Sequence, residues 1–273
     1  MRRILIGLAL TLVALPARAQ TEDQYRTQCL GDDPDTVISG CTAVIASGQE
    51  TTANLAVAYT NRGNAYLDKG NEHQAIADYS EAIKLNPADP DSYLNRSRVY
   101  SFEGKNKLAI ADADAGIKLA PTFAGFYGIR GRNYFAEGDT ARAIADYSEA
   151  IKLDPKGALQ YYNRGNAYVA KKLYDLAIAD YGAAIALKPD YDDAYNGRAW
   201  TYHLKGADAE GLPDAEKAVT LAPKDASDIE TRAEIYEKLG QRDKAVADYR
   251  AALTLDPKEK SAQRGLKRLG ISP

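Results

Sequence analysis

A chain of 273 residues with a net charge of −3 lacks the basic footprint that nucleic-acid binding requires. Its two cysteines and two widely separated histidines supply too few ligands for a zinc site, so no metal is expected. Length alone is compatible with a single globular core, but the chain repeats internally, which makes a domain count from length misleading.

Residues 1–19 read as an export signal: Arg2 and Arg3 form a basic start, Ile4 to Leu15 an apolar run, and Ala17-Arg18-Ala19 a small-x-small cleavage site before Gln20. The run is too short to span a bilayer and no later run is longer, so no membrane span is expected. An N-terminal anchor is the other reading, if cleavage fails. Cleavage between Ala19 and Gln20 would place the product in the periplasm or outside the cell. It would also remove Arg2, Arg3 and Arg18, moving the net charge from −3 to −6. In that compartment Cys29 and Cys41 read as a disulfide.

Residues 20–52 read as a degenerate helical hairpin that caps the repeats. Asp23 to Leu30 forms a short first helix, and Pro34 with Asp35 opens a second. Val37, Ile38, Cys41, Val44 and Ile45 then line one apolar stripe. A Cys29–Cys41 bond would close this short loop and add roughly 3 kcal/mol.

From residue 53 to 257 the chain repeats. Pro87, Pro121, Pro155, Pro189, Pro223 and Pro257 stand 34 residues apart, six in succession. Tyr59 to Tyr66, Tyr-Thr-Asn-Arg-Gly-Asn-Ala-Tyr, recurs almost verbatim from Tyr161 to Tyr168. Tyrosines occupy two columns on the first helix of each unit, flanking a small residue: Gly63, Ser97, Gly131, Gly165, Ala199 or Ala233. A third column on the second helix holds Tyr79, Tyr147, Tyr181 and Tyr249. Fifteen of the 19 tyrosines fall in these columns, which favours core packing over an aromatic platform for sugars or bases. A turn glycine joins the helices in five units, at Gly70, Gly104, Gly138, Gly206 and Gly240. Pro213 interrupts the pattern and predicts a late second helix in the fifth unit, beginning near Leu212, with Ala207 to Gly211 as a looser connection. Lys258 to Leu269 reads as a polar C-terminal helix that caps the last apolar edge, within residues 258–273.

By period and by residue the chain resembles the tetratricopeptide repeat (TPR) family, as an exported bacterial member, over roughly three quarters of its length. The resemblance implies an all-α fold, a right-handed superhelical solenoid of antiparallel helical hairpins, with a concave groove lined by the first helices. It also implies a ligand-binding stripe on those helices. Here that stripe carries Asn61 and Asn64; Asn95 and Arg98; Gly125, Gly128 and Arg132; Tyr162, Asn163 and Asn166; Asp193, Asn196, Trp200 and His203; then Glu230, Glu234 and Glu237. These residues recur three or four apart and so share one helix face. Asparagine amides both donate and accept, which suits an extended peptide backbone, though asparagine is also ordinary repeat sequence. Asn64 and Asn95 match the family's carboxylate clamp for chaperone tails, but Thr60, Gly125 and Ile129 stand where its basic residues belong.

Two further columns are complete. Arg62, Arg96, Arg130, Arg164, Arg198 and Arg232 are each followed 16 residues later by Asp78, Asp112, Asp146, Asp180, Asp214 and Asp248. A ladder of Arg–Asp pairs explains them better than a row of anion sites, because the planar guanidinium binds a carboxylate through two parallel bonds. Gly125 and Gly128 leave room for a ligand backbone, with Arg98 and Arg132 expected on either side to receive a carboxylate. A basic or apolar portion of the ligand would run toward Trp200 and Glu234.

No catalytic constellation is recognisable and no cofactor motif is present. The reading is an exported, non-enzymatic scaffold that holds an extended segment or partner helix of a protein or peptide in its groove. The alternative is a regulatory or adaptor subunit of an envelope enzyme or assembly complex, bound through the convex face or an edge. Partner identity and oligomeric state do not follow from the sequence.

Overall fold

The computed structural model describes residues 17–272, with side chains from residue 22 onward. The expected export signal lies outside the described residues apart from the backbone of positions 17–19. All regular structure among the described residues is helical, in 15 helices. The first hairpin is α1 (Ala17–Cys29) and α2 (Pro34–Ser47). The repeats begin as α3 (Thr52–Asp68) and α4 (Glu72–Leu85), α5 (Pro90–Phe102) and α6 (Asn106–Leu119), and α7 (Ala124–Ala136) and α8 (Thr140–Leu153). They continue as α9 (Ala158–Ala170) and α10 (Tyr174–Leu187), α11 (Asp192–Lys205) and α12 (Asp208–Leu221), and α13 (Ala226–Lys238) and α14 (Arg242–Leu255). A last helix, α15 (Lys260–Arg268), closes the series.

Two compact units divide the chain, one through Glu103 with α1 to α5 and one from Gly104 with α6 to α15. Within each, successive helices pack as antiparallel hairpins and odd-numbered helices touch the next odd-numbered one, the stacking of an all-α solenoid.

Local chemistry sets the helix limits. Asp33 and Asp89 accept backbone N–H bonds at the starts of α2 and α5, each with a proline in the first turn. The α3–α4 turn uses Gly70 at φ 71°, whose N–H reaches the Leu67 carbonyl at 2.9 Å, while Asn71 N–H reaches Tyr66 at 2.7 Å. The fourth unit has no glycine there. Lys172 adopts φ 59° and keeps the same bonds, to Val169 at 2.8 Å and from Leu173 to Tyr168 at 2.9 Å. A side chain in that conformation costs about 1–2 kcal/mol, which the repeated hairpin geometry imposes.

The core is built from the tyrosine and small-residue columns. Tyr79, Tyr147, Tyr181 and Tyr249 are all but fully buried. A Cβ at Gly63 would lie 2.7 Å from the Tyr79 ring, and one at Gly265 only 2.3 Å from Tyr249. Each ring of a second helix therefore rests on the missing side chain of a first helix, and α15 supplies that surface for the last repeat. Leu266 and Ala262 of α15 are completely buried against this edge.

The arginine and aspartate columns pair. Within the units, Arg62–Asp78, Arg130–Asp146, Arg164–Asp180, Arg198–Asp214 and Arg232–Asp248 each form two parallel bonds of 2.7–2.9 Å. Arg96 and Asp112 belong to different units. The third nitrogen reaches the preceding repeat: Arg96 to Ser80, Arg130 to Asp114 and Arg164 to Ser148, at 2.9, 2.6 and 3.0 Å. Each arginine that does so ties its own first helix to the second helix before it. Several also lie between the two tyrosine columns, as Arg164 does over Tyr161 and Tyr168.

Cys29 and Cys41 join α1 to α2 in a disulfide, their Cα atoms 4.5 Å apart. The late start expected for the fifth second helix is not found. α12 begins at Asp208 and carries Pro213 inside it. Two contacts fix its first turn ahead of the proline. Asp208 bonds His203 at 2.6 Å, and Gly211 packs so closely on α11 that a Cβ there would sit 3.0 Å from the Ala199 carbonyl. Pro213, the sixth residue of this helix, has no N–H to give the carbonyl of residue 209, and the helix continues without that bond.

Candidate functional site

Along the second unit, first helices α9, α11 and α13, with α15 beside them, enclose a cleft of about 560 Å³. Helical spacing of three and four residues aims one face of each helix into it: Tyr162, Asn166 and Val169 from α9, and Asp193, Asn196, Gly197 and Trp200 from α11. Ser227, Glu230, Thr231 and Glu234 come from α13, and Ser261 and Arg264 from α15. The buried Tyr181 ring of α10 reaches the floor between them. Its ring centroid lies 5.9 Å from that of Tyr162, which in turn packs 5.2 Å from Tyr191.

The electrostatics are mostly acidic. Asp193, Glu230 and Glu234 face Arg264 as the only cation among the lining residues. Burial pushes the carboxyl of Glu230 above its ordinary range, with Glu259 and Glu234 adding to the effect and a bond from Ser261 opposing it. Burial likewise raises Asp193, helped by Asp192 and Asp225. Behind them Asp228 is buried, one of its oxygens lacks a donor, and burial beside Asp225, Asp192 and Asp193 pushes it up to about 7. A carboxylate kept from water beside like charges favours its protonated form or the approach of a cation.

His203 lies at one end, stacked on Trp200 with ring centroids 5.0 Å apart. One ring nitrogen is 2.6 Å from Asp208 and the other 3.4 Å from Glu234. The bond with Glu234, then that with Asp208, raises its pKa above the ordinary 6.5 against the opposing effect of burial. The imidazolium's contribution to stability is therefore complete below pH 6.5 and is lost as pH rises through the higher folded-state value. Unfolding by urea from about pH 5 to about pH 8 should show the native chain losing stability relative to His203→Gln as pH rises. Parallel pH profiles for the two proteins would remove this role. A second opening, lined by His203, Glu234, Glu237, Lys238 and Arg268, adjoins it, with Arg268 bonded to Glu237 at 2.8 and 2.9 Å.

Comparison with known proteins identifies the repeat. The TPR repeat model matches residues 131–172 and 165–206, and tetratricopeptide repeat models match 56–89, 90–123 and 231–259. Together these cover more than half of the chain. The chain belongs to the tetratricopeptide repeat family. A search of curated proteins found no match. Among solved structures, the TPR fold is shared with the MamA protein at 28% identity, over 62% of this chain and 92% of that one, with a TM-score of 0.56. PilW, described as a widely conserved type IV pilus biogenesis factor, is 20% identical over 78% of this chain and 98% of its own, with a TM-score of 0.70. YrrB, described as a TPR protein with an unusual peptide-binding site, is 20% identical over 69% and 97%, with a TM-score of 0.57. At 20% identity PilW and YrrB bear on the fold alone.

Of the residues expected on the TPR ligand stripe, Tyr162, Asn166, Asn196 and Trp200 line the cleft, and His203 lines the adjoining opening. Asn163 is half-buried beside the cleft and does not line it. Several amides have structural work. Asn64 accepts the Tyr79 hydroxyl at 2.7 Å and the Asn95 amide at 3.0 Å, Asn166 accepts Tyr181 at 2.6 Å, and Asn61 donates to the Cys29 carbonyl at 3.2 Å. Asn196 buries its amide oxygen without a donor. Arg98 is exposed in the first unit and Arg132 is exposed in the second. The space at Gly128 is filled: a Cβ there would lie 2.8 Å from the Gln160 side chain of the next repeat. Sequence reasoning missed Arg264 and Ser261, because α15 read only as a cap. Their three-residue spacing on a helix just beyond a repeat proline was the available signal.

Among the described residues no helix is long and apolar enough to cross a membrane, and no group of three or more His, Cys, Asp or Glu is placed to hold a metal.

Proposed function

We propose that this chain is an exported, non-enzymatic interaction scaffold whose cleft on α9, α11, α13 and α15 holds an extended segment or helix of a protein partner. The cleft itself carries the reading: it is open, it lies on the first helices, and it sets two aromatic walls, Tyr162 and Trp200, among polar groups that fix register. The Cys29–Cys41 disulfide and the basic-apolar-small pattern of residues 1–19 support export. The description of YrrB as having a peptide-binding site agrees with use of this fold for peptide capture.

A regulatory or adaptor role through the second-helix side is the second reading, favoured by Leu176 and Leu187 of α10, which are 49% and 41% exposed. A photo-crosslinking residue placed at Trp200 and, separately, at Leu176 distinguishes the two in cells producing the protein. Crosslinking to a discrete partner from Trp200 and not from Leu176 is the expected result. The reverse pattern transfers the function to the second-helix side.

A further inference from the structure

Building on the proposed groove, we infer that its occupant is a basic segment, seating a lysine or arginine side chain between Asp193 and Glu230 with its aliphatic stem against Trp200.

Three observations converge on this. First, the cleft's carboxylates are not neutralised from within. Neither Asp193 nor Glu230 has an ion-pair partner among the described residues, whereas Glu234 is already shared by His203 at 3.4 Å and Arg268 at 3.8 Å. The single lining cation, Arg264, is exposed and bonds Ser261 at 2.9 Å. Elsewhere Asp78, Asp146, Asp180, Asp214 and Asp248 each have their own arginine, so this stretch of the stripe stands apart from the paired carboxylates of the repeat.

Second, the walls suit a long cationic side chain. Tryptophan is the best aromatic face for a cation, and the methylenes of lysine or arginine cover apolar surface while the charged head stays among polar groups. Tyr162, packed on Tyr181 and Tyr191, offers a second, rigid ring. A segment with an acidic side chain would instead meet like charge in a partly desolvated site, which discriminates against it strongly.

Third, the site extends beyond one side chain. Three first helices and α15 contribute, and a volume of about 560 Å³ admits several residues of an extended chain. Arg264 at the α15 end then gives polarity to the site: a carboxylate, from a side chain or a chain terminus, fits there while the basic residue lies nearer α11.

Trp200 is the chain's single tryptophan, so its fluorescence reports on this cleft directly. The experiment titrates the full chain with three pools of synthetic peptides of equal length. Each pool fixes one central residue as Lys or Arg, as Gln, or as Glu, with the flanking positions randomised over the same neutral residues. The Lys/Arg pool is expected to perturb Trp200 saturably, to weaken with added salt, and to lose at least about tenfold in affinity in Asp193→Asn/Glu230→Gln, which neutralises both carboxylates. Circular dichroism of that variant should match the native chain. Binding of all three pools with equal affinity overturns the basic-residue inference and leaves the groove reading standing, as does unaltered binding by a folded double variant. No response to any pool overturns both.

Discussion

Replacing Arg164 with alanine should destabilise the protein by about 3 kcal/mol, among the largest effects available to one surface-adjacent position. Arg164 gives two bonds of 2.8 Å to Asp180 and one of 3.0 Å to Ser148 of the preceding repeat, and its guanidinium lies near the rings of Tyr161 and Tyr168. Asp180 is only 6% exposed. Removing the arginine leaves that carboxylate buried beside apolar groups with its charge uncompensated, and this loss exceeds whatever the intact pair contributes over a hydrophobic replacement. Arg98→Ala is the control. That side chain is exposed, and its loss should move stability by no more than about 0.5 kcal/mol. Arg164→Lys should fall between, since an ammonium cannot make the two parallel bonds. The double variant Arg164→Ala/Asp180→Ala should be less unstable than the sum of its single variants. Urea unfolding of the set decides it; an Arg98 variant more damaged than the Arg164 variant would mean the ladder does not hold the repeats together.

What the sequence made legible was whatever the 34-residue period repeats. Arginine and aspartate stand at a constant separation of 16 in every unit, so their pairing could be read as a column without knowing any one geometry. The same holds for the buried tyrosines and for the glycines on which they rest. Features decided once, between particular repeats, were not legible. Pro213 was expected to delay its helix, yet the start of α12 is set by the His203–Asp208 bond and by the fit of Gly211 against Ala199 and Tyr202, contacts made outside the local sequence. Gly128 looked open because its own helix has no side chain there, whereas Gln160 from the next repeat fills the space. Lys172 occupies a left-handed position that residue preference assigns to glycine, because six equivalent hairpins fix the turn and one substitution cannot alter it. For the site, Trp200, Asn196 and Tyr162 could be placed on one stripe from helical spacing. That Asn64 and Asn166 anchor tyrosine hydroxyls depended on the distance between two helices, which spacing along one helix does not contain.

Tyr181→Ala should cost about 3–5 kcal/mol, the range for deleting a large, fully buried aromatic ring. Tyr181 is 1% exposed. Its ring fills the space between two glycines on successive first helices: a Cβ at Gly165 or at Gly197 would lie 2.9 Å from it. Neither glycine has a side chain that can move into the vacated volume, so the cavity stays and the α9–α11 contact loosens. The hydroxyl adds less. It donates to Asn166 at 2.6 Å, and Tyr181→Phe keeps the ring while leaving that amide oxygen without its donor, a loss of about 1 kcal/mol. Because Tyr181 also floors the cleft, the two variants should separate in function as well as stability. Tyr181→Phe should preserve the Trp200 emission spectrum and the thermal transition to within a few degrees, while Tyr181→Ala should lower the transition markedly and shift the emission, as water gains access to the ring next to Gly197. Equal damage from both variants would mean that the hydroxyl bond within the α9–α10 hairpin, rather than ring packing between Gly165 and Gly197, carries the stability of this stretch.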